Sequence, residues 1–215
     1  MPERQDISPL TLNRLSVYLR CLRLLRDEGV ERVSSQQLAQ RFHLSSSQIR
    51  KDLTYFGEFG VRGVGYDVSL LADRLQQLLG LDRTHRLMIV GVGNLGSALA
   101  RYFDGNDLHF QVVAGVDSNE QRIGKEVGSF VVRAFDEIAT LVGETDADIG
   151  VITVPGDAAV QAYEALVDGG VRSVLNFAPV QLPDIEGVRV KNVDMRIHLE
   201  EMAFFLGADD NDSER

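Results

Sequence analysis

The sequence is poor in several residue types, and each shortage excludes a class of protein. Its one cysteine, Cys21, excludes an intrachain disulfide and the paired cysteines of zinc and dithiol sites. The longest apolar stretch, from Leu87 to Gly93, is far shorter than the ~20 residues of a membrane helix. The first 30 residues carry five arginines and no apolar signal-peptide core. We therefore expect a soluble, cytoplasmic protein that has no disulfide and no metal site.

Basic residues are also scarce, but only in one part of the chain. The 215 residues have a formal net charge of −10. Residues 1–86 contain 13 Lys and Arg against 10 Asp and Glu, whereas residues 87–215 contain 9 against 22. A weakly basic first part and a strongly acidic second part predict two domains with different partners, and we place their boundary after residue 83.

The first part has the pattern of a helix-turn-helix. Leucines at helical spacing predict a first helix from Ser8 to about Asp27. Two capping-box signatures, Ser34 with Gln37 and Ser45 with Gln48, predict short helices over 35–42 and 46–56. The tight turn between these helices gives the spacing of the motif.

The rest of this part predicts a wing. Residues 57–66 mix glycine with apolar residues without a helical period, which is typical of a β-hairpin. An amphipathic helix over 69–79 would complete a winged helix-turn-helix domain of residues 1–83.

The helix 46–56 has two faces, and as the second helix of the motif it is the one expected in a major groove. Ile49, Leu53 and Phe56 form an apolar stripe. The other side carries groups that can bond phosphates or base edges, although an ordinary solvated helix would look similar. The candidate DNA-binding residues are Ser46, Ser47, Gln48, Arg50, Lys51 and Thr54, with Arg62 in the wing.

The acidic part opens with a dinucleotide-binding fingerprint. An apolar strand over 87–90 leads into Gly91-Val92-Gly93-Asn94-Leu95-Gly96, and a helix rich in small residues follows. This is the context in which the glycines allow a tight turn, close approach of a pyrophosphate and close packing of helix on strand.

A second strand, over 110–116, ends in Asp117, which is placed to bond the adenosine ribose hydroxyls. An acid there repels a 2′-phosphate and favours NAD over NADP. Arg122, five residues on, leaves NADP open as the lesser alternative.

Strands and helices alternate in the remainder. Strands over 130–132, 149–154, 173–177 and 188–193, with helices over 135–142 and 157–168, predict a Rossmann-type, doubly wound parallel sheet over residues 84–192. Ligands of such sheets lie beyond the carboxyl ends of the strands. Further candidate cofactor residues there are Thr153, Val154, Pro155, Asn176 and Phe177.

After the sheet comes an amphipathic helix over 193–207, whose apolar face needs another surface, and we expect a partner subunit to supply it. Residues 208–215 are expected to be a disordered acidic tail.

A catalytic base is missing. None of the four histidines stands beside a convincing partner acid or near the expected nicotinamide. A cofactor site without chemistry, joined to a DNA-binding domain, predicts a sensor and not an enzyme. Two alternatives remain, an NAD-dependent dehydrogenase with an accessory helix-turn-helix-like domain and a nucleotide- or CoA-binding scaffold protein.

The sequence resembles the Rex family, the NADH-responsive transcriptional repressors of bacteria, over essentially the whole chain. The segments that carry the resemblance are 50–57 (RKDLTYFG), 62–66 (RGVGY), 90–99 (VGVGNLGSAL), 153–155 (TVP), 176–179 (NFAP) and 192–194 (NVD). The first two together are highly specific, whereas the glycine motif alone is not.

The resemblance implies an α/β homodimer with a domain-swapped C-terminal helix, a winged helix on an inverted repeat of double-stranded operator DNA, and NADH and NAD+ as the sensed ligands. NADH would release DNA and NAD+ would permit binding. It further implies a redox relay of Arg20, Tyr102 and Asp194 between domains and subunits. Met195 would lie near the nicotinamide, at a position where the family often has an aromatic residue.

Overall fold

The computed structural model describes residues 7–57, 59–61, 63–105 and 109–212, with side chains up to residue 206. The chain divides into two compact units, residues 1–83 and residues 84–215. Among the described residues, no helix is both long and apolar enough to cross a membrane.

Helices form most of the first unit. They are α1 (Pro9–Asp27), α2 (Ser35–Phe42), α3 (Ser46–Phe56) and α4 (Val68–Leu78). The helix starts follow from their caps, because the Oγ atoms of Ser8, Ser34 and Ser45 each accept an N–H from the first turn. His43 ends α2 in the left-handed conformation, which makes the tight turn into α3.

A small antiparallel sheet completes this unit. Its strands are β1 (Arg32–Val33), β2 (Gly60–Val61) and β3 (Gly65–Asp67), in the order β1-β3-β2. The pair β2 and β3 is the predicted hairpin. The sequence did not indicate β1, whose two residues pair with the far side of β3.

The core of the first unit lies between α1, α3 and α4. Leu15, Leu22, Ile49, Leu71 and Leu75 are all at most 1% exposed. Cys21 is also buried, as its place among the leucines predicts. The apolar stripe of α3 is therefore confirmed as the face that joins this core.

The second unit is built on a parallel sheet. Its strands are β4 (His85–Val90), β5 (Phe110–Asp117), β8 (Arg133–Ala134), β9 (Ile149–Ile152), β10 (Ser173–Asn176) and β11 (Arg189–Asn192). Their order in the described sheet is β11-β10-β9-β4-β5-β8, and each neighbouring pair is parallel. The Rossmann-type sheet is confirmed.

Helices cover both faces of this sheet. They are α5 (Asn94–Phe103), α6 (Ile138–Thr145) and α7 (Gly156–Asp168). Side chains of successive residues in β4 point to opposite faces of the sheet. Met88 packs in the hydrophobic core that includes residues of α6 and α7, whereas Ile89 packs in the core that includes residues of α5.

The prediction for residues 130–132 was wrong in its pairing. Phe130–Val131 (β7) pairs antiparallel with Glu126–Val127 (β6), and the parallel edge strand is β8. The cause is a turn at Gly128, which has φ +58° and places Val127 and Phe130 together in the core.

The last helix, α8 (Met195–Asp212), is longer than predicted. It includes residues 208–212, which we expected to be a disordered tail, because no proline follows the apolar segment to stop it.

Candidate functional site

The carboxyl ends of the central strands meet at one edge of the sheet. Val90 lies opposite Val116 on one side and Ile152 on the other, and Ile152 lies opposite Asn176. The chain leaves β4 towards β5 and later returns to β9 on the other side, so the strand order reverses beside Val90. Open α/β sheets bind ligands at such a point.

The glycine loop lies at this point, and two of its glycines are required by packing. Gly91 has φ +95°, and a Cβ there would lie 2.6 Å from Cγ1 of Val154. A Cβ on Gly96 would lie 2.2 Å from the carbonyl oxygen of Gly91. Thr153 closes the loop, since its Oγ1 donates a hydrogen bond of 2.7 Å to that same oxygen.

The remaining glycine of the fingerprint, Gly93, is not required by close packing. Gly93 is the N-cap of α5, and the nearest atoms to a Cβ built there belong to the Arg122 guanidinium, at 3.4 Å and beyond. The first N–H groups of a helix have no partner within it and attract anions. The residues from Gly93 to Leu95 can therefore receive a pyrophosphate, with half-buried Gly93 facing Arg122.

Asp117 ends β5 and is 4% exposed. Its Oδ1 accepts the backbone N–H of Asn119 at 2.8 Å, and its Oδ2 accepts Nη1 of Arg122 at 3.0 Å. The predicted ribose acceptor is therefore already paired with a cation, which the spacing of the two residues did not reveal.

Asn176 is fully buried, and its amide is used inside the protein. Its Nδ2 donates to the carbonyl oxygens of Ala178 and Val180 and to Oδ1 of Asn192, and its Oδ1 accepts the N–H of Ala178. Asn176 thus holds the loop after β10 in place. Phe177 next to it is half-buried.

The candidate DNA-binding residues of α3 point to two sides of that helix. Arg50 and Thr54 line a cavity of ≈ 970 Å³ between α2, α3 and the β2–β3 hairpin, where Nη1 of Arg50 donates to Oγ of Ser35 at 3.0 Å. Lys51 and Gln48 line a separate cavity towards α1. Ser47, Arg50, Lys51 and Thr54 are exposed, and Ser46 is half-buried.

Arg62, the predicted wing residue, lies outside the described residues. On either side of it, Gly60 pairs with Tyr66 and Val61 with Gly65, as the predicted hairpin requires.

The second of the two predicted capping boxes, Ser45 with Gln48, is only half formed. The first is complete, because the Gln37 side chain accepts the N–H of Ser34. The Gln48 side chain instead donates from Nε2 to Oδ1 of Asp52 at 2.8 Å. A buried carboxylate one turn along the helix is a charged and therefore stronger acceptor partner.

Asp52 is a central residue that the sequence reasoning missed. It is 4% exposed and accepts Nε and Nη2 of Arg14 at 2.6 and 2.8 Å, as well as the Tyr18 hydroxyl at 2.9 Å. Burial alone would raise its pKa, but the hydrogen bonds from Arg14, Gln48 and Tyr18 outweigh burial and lower the Asp52 pKa. The one sequence signal was the spacing of Gln48 and Asp52, which puts them on one face of α3.

The three residues of the expected relay are each exposed. Arg20 is on α1, Tyr102 is on α5, and Asp194 directly precedes α8. Oδ1 of Asp194 accepts the N–H of Arg196 at 2.9 Å, so Asp194 also caps the start of α8.

α8 exposes apolar residues on opposite sides. Met195, Leu199, Met202 and Leu206 follow the predicted face, and each is 65–71% exposed. Ile197 and Phe204, which the prediction left out, are half a turn away and 61% and 73% exposed. Phe205, also predicted, is 61% exposed.

Within the described part of the chain, no group of three or more His, Cys, Asp or Glu side chains is arranged to hold a metal ion.

Family models match both units. Residues 6–54 match a model described as putative DNA-binding protein N-terminus, and residues 82–180 match one described as CoA binding domain.

Full-length relatives carry the same combination. The chain is 39% identical to the redox-sensing transcriptional repressor Rex of Chloroflexus aggregans, over 95% of this chain and 97% of that one. It is 41% identical to the Rex repressor of Carboxydothermus hydrogenoformans, over 94% and 98%.

Solved structures are similar to this chain over both units. The crystal structure of RSP with β-NAD+ and operator DNA superposes with a TM-score of 0.90 at 31% identity, over 97% of this chain and 96% of that one. RSP with β-NADH gives 0.85 at 30% identity, over 97% and 98%. A chain that matches such relatives from end to end belongs to the Rex family of redox-sensing transcriptional repressors.

Proposed function

We propose that the protein is a homodimeric repressor that binds inverted-repeat operator DNA and leaves it when NADH binds, so that it reads the NADH/NAD+ ratio. The observation that carries this proposal is the glycine loop at the switch point of the sheet, in a chain that also has a complete helix-turn-helix.

The dinucleotide would lie across the carboxyl ends of the strands. The backbone from Gly91 to Gly96 would receive the pyrophosphate, and Asp117 would bond the adenosine ribose. Thr153, Val154, Pro155 and Phe177 would line the nicotinamide end, with Asn176 holding the last of these loops.

Charge explains why an apolar nicotinamide end would separate the two redox states. The oxidised ring carries a positive charge and the reduced ring does not, so a site that excludes water favours the reduced ring. Met195, 66% exposed in the single chain, would fill part of this apolar space with a flexible thioether.

Dimerisation would cover α8. A helix that is apolar on opposite sides is stable only when other protein surrounds it. We infer that α8 packs on the partner subunit, in exchange for the same helix of that subunit.

DNA release would follow from the geometry of the dimer. Two recognition helices must match half-sites about 34–36 Å apart. NADH bound between subunits would hold the dimer closed, so that α3 of one subunit no longer reaches its half-site. Asp194 would pair with Arg20 in one state and with Tyr102 in the other.

A gel-shift titration on an inverted-repeat promoter tests the proposal. We expect tight binding with NAD+ and release with NADH. Equal binding with both cofactors would refute redox sensing, and steady oxidation of NADH with small carbonyl compounds would favour the dehydrogenase alternative. Arg20→Ala should weaken the response to NADH more than the affinity for NADH, with Arg23→Ala on the same helix as control.

A further inference from the structure

The last residues of β10 and β11 bring two functional segments of the chain together. Asn176 ends β10 and Asn192 ends β11, and the parallel register places these two residues opposite each other. The loop after β10, residues 177–180, begins with Phe177 at the proposed nicotinamide end, and we call it the nicotinamide loop. The segment after β11 leads through Asp194 into α8. The nicotinamide loop and the start of α8 therefore leave the sheet side by side.

Two hydrogen bonds join these strand ends. Nδ2 of Asn176 donates to Oδ1 of Asn192 at 2.9 Å, and the N–H of Val193 donates to the carbonyl oxygen of Asn176 at 2.8 Å. Asp194 comes directly after these bonds, and its Oδ1 accepts the N–H of Arg196 at the start of α8. A displacement of Asn176 therefore reaches Asp194 through two hydrogen bonds and the adjoining backbone.

The nicotinamide loop competes with Asn192 for the same donor. Nδ2 of Asn176 also lies 3.2 Å from the carbonyl oxygen of Ala178 and 3.0 Å from that of Val180. An –NH2 group has two hydrogens, so it cannot bond three acceptors fully at once. The share that Asn192 receives therefore depends on where the nicotinamide loop lies.

Burial makes this competition effective. Asn176 is fully buried, so water does not replace an acceptor that its amide loses. Asn192 is exposed, and its Oδ1 is the acceptor on the side of α8. Substitution of Asn192 can therefore remove one acceptor without opening a cavity in the core.

We propose that Asn192 is a positioning residue that carries the state of the nicotinamide loop to Asp194. A shift of the loop when NADH replaces NAD+ changes how the two hydrogens of Asn176 are shared, and so changes the hold on Asn192. Asp194, two residues further on, is then placed for one or the other of its two proposed partners. This inference rests on the proposed function, because it takes the nicotinamide to lie at Phe177 and Asp194 to exchange partners.

Fluorescence anisotropy with the full-length protein and an inverted-repeat operator tests it. The quantity measured is the coupling factor, which is the operator Kd with saturating NADH divided by that with saturating NAD+. Asn192→Ala removes the acceptor, so the coupling factor should fall about 2- to 10-fold, the value of one hydrogen bond. The Kd of NADH without DNA, measured by calorimetry, should change by less than about threefold, because Asn192 lies outside the loops that would line the dinucleotide.

Two further variants separate the hydrogen bond from other effects. Asn192→Asp should restore the coupling factor, because a carboxylate oxygen accepts the same hydrogen bond. Lys191→Ala, at the exposed neighbouring residue of β11, is the matched control and should keep the coupling factor of the wild type.

Each failure has its own meaning. If the wild type responds to NADH and Asn192→Ala responds equally, the inference is refuted while the proposed function stands. If Asn192→Ala loses NADH affinity in step with its response, Asn192 acts on cofactor binding and is not the link to Asp194. If Asn192→Asp is as impaired as Asn192→Ala, the hydrogen bond does not carry the coupling. If operator binding by the wild type does not respond to NADH, both proposals fail.

Discussion

Arg14 and Asp52 form a two-point ion pair that ties α1 to the recognition helix α3, with Nε and Nη2 of Arg14 at 2.6 and 2.8 Å from the two carboxylate oxygens. The carboxylate is buried and the guanidinium is about one-third exposed. Because α1 also carries Arg20, this pair connects the helix of the proposed relay to the helix of the proposed DNA contact.

Replacing Asp52 by Asn should destabilise the first unit. The change keeps the shape of the side chain, but it removes the negative charge and turns one of the two acceptor oxygens that face Arg14 into an NH2 donor, which predicts a loss of about 1–3 kcal/mol in the free energy of unfolding. Urea denaturation measures it. Asp73→Asn is the matched control, because the exposed pair of Asp73 with Arg26 should contribute less than about 1 kcal/mol. Equal effects of the two changes would contradict the prediction.

The same carboxylate predicts a pH dependence. Hydrogen bonds lower the pKa of folded Asp52 below the value of about 3.9 expected in the unfolded chain. A lowered pKa stabilises the fold above the unfolded pKa, and this contribution is lost as the pH falls through the folded pKa.

The difference in unfolding free energy between the wild type and Asp52→Asn should therefore be constant from about pH 5 to 7 and shrink below about pH 4. Denaturation curves between these limits measure it. A difference that grows in acid would mean that the carboxylate is not the source of the stability.

Substitutions of the fingerprint glycines should have two different effects on stability and NADH binding. Gly96→Ala places a Cβ against a backbone carbonyl that cannot move aside, so we expect a loss of about 1–3 kcal/mol in stability together with loss of NADH binding. Gly93→Ala meets only ordinary contact with Arg122, so thermal stability should hold while NADH affinity falls. Unchanged NADH affinity in Gly93→Ala would remove this backbone from the pyrophosphate site.

Lys51 should contribute electrostatically to DNA affinity. In Lys51→Ala, the slope of log K against log salt should fall by about 1, and affinity should drop alike for operator and unrelated DNA. Fluorescence anisotropy at several salt concentrations measures both. Arg74→Ala on α4 serves as the control for removing an exposed cation. An unaltered slope would exclude Lys51 from phosphate contact.

The apolar faces of α8 should hold the dimer. Met202→Asp puts a charge on a surface that we propose to be buried between subunits, so sedimentation should show monomer at concentrations where the wild type is dimeric. Glu200→Ala changes the same helix without adding a charge to its apolar sides, and should remain dimeric. A Met202→Asp protein that stays dimeric would place the interface elsewhere.

Local patterns made much of this molecule predictable. The apolar stripe of Ile49, Leu53 and Phe56 predicts which face of α3 is buried. The capping residue Ser34 predicts where α2 begins. The spacing from Gly91 to Gly96 encodes a turn and a close approach of helix to strand, so even the packing role of these glycines could be predicted.

Contacts between distant residues could not be predicted in this way. The sequence predicts Arg14 to be an exposed residue of α1, and no nearby residue indicates that its partner is Asp52, 38 residues away. The two residues of β1 are too few to show a strand period. Arg122 was recognised as a cation near the ribose, but its pairing with Asp117 depends on the turn at Asn119.

The two units have separate hydrophobic cores, one from residues between Leu15 and Leu75 and the others from residues between Leu87 and Leu182. Substitutions in one core need no compensating change in the other. Operator preference and cofactor response can therefore diverge independently in evolution. By the same reasoning, the DNA-binding unit of residues 1–83 could be exchanged by protein engineering while the cofactor-binding unit of residues 84–215 is kept.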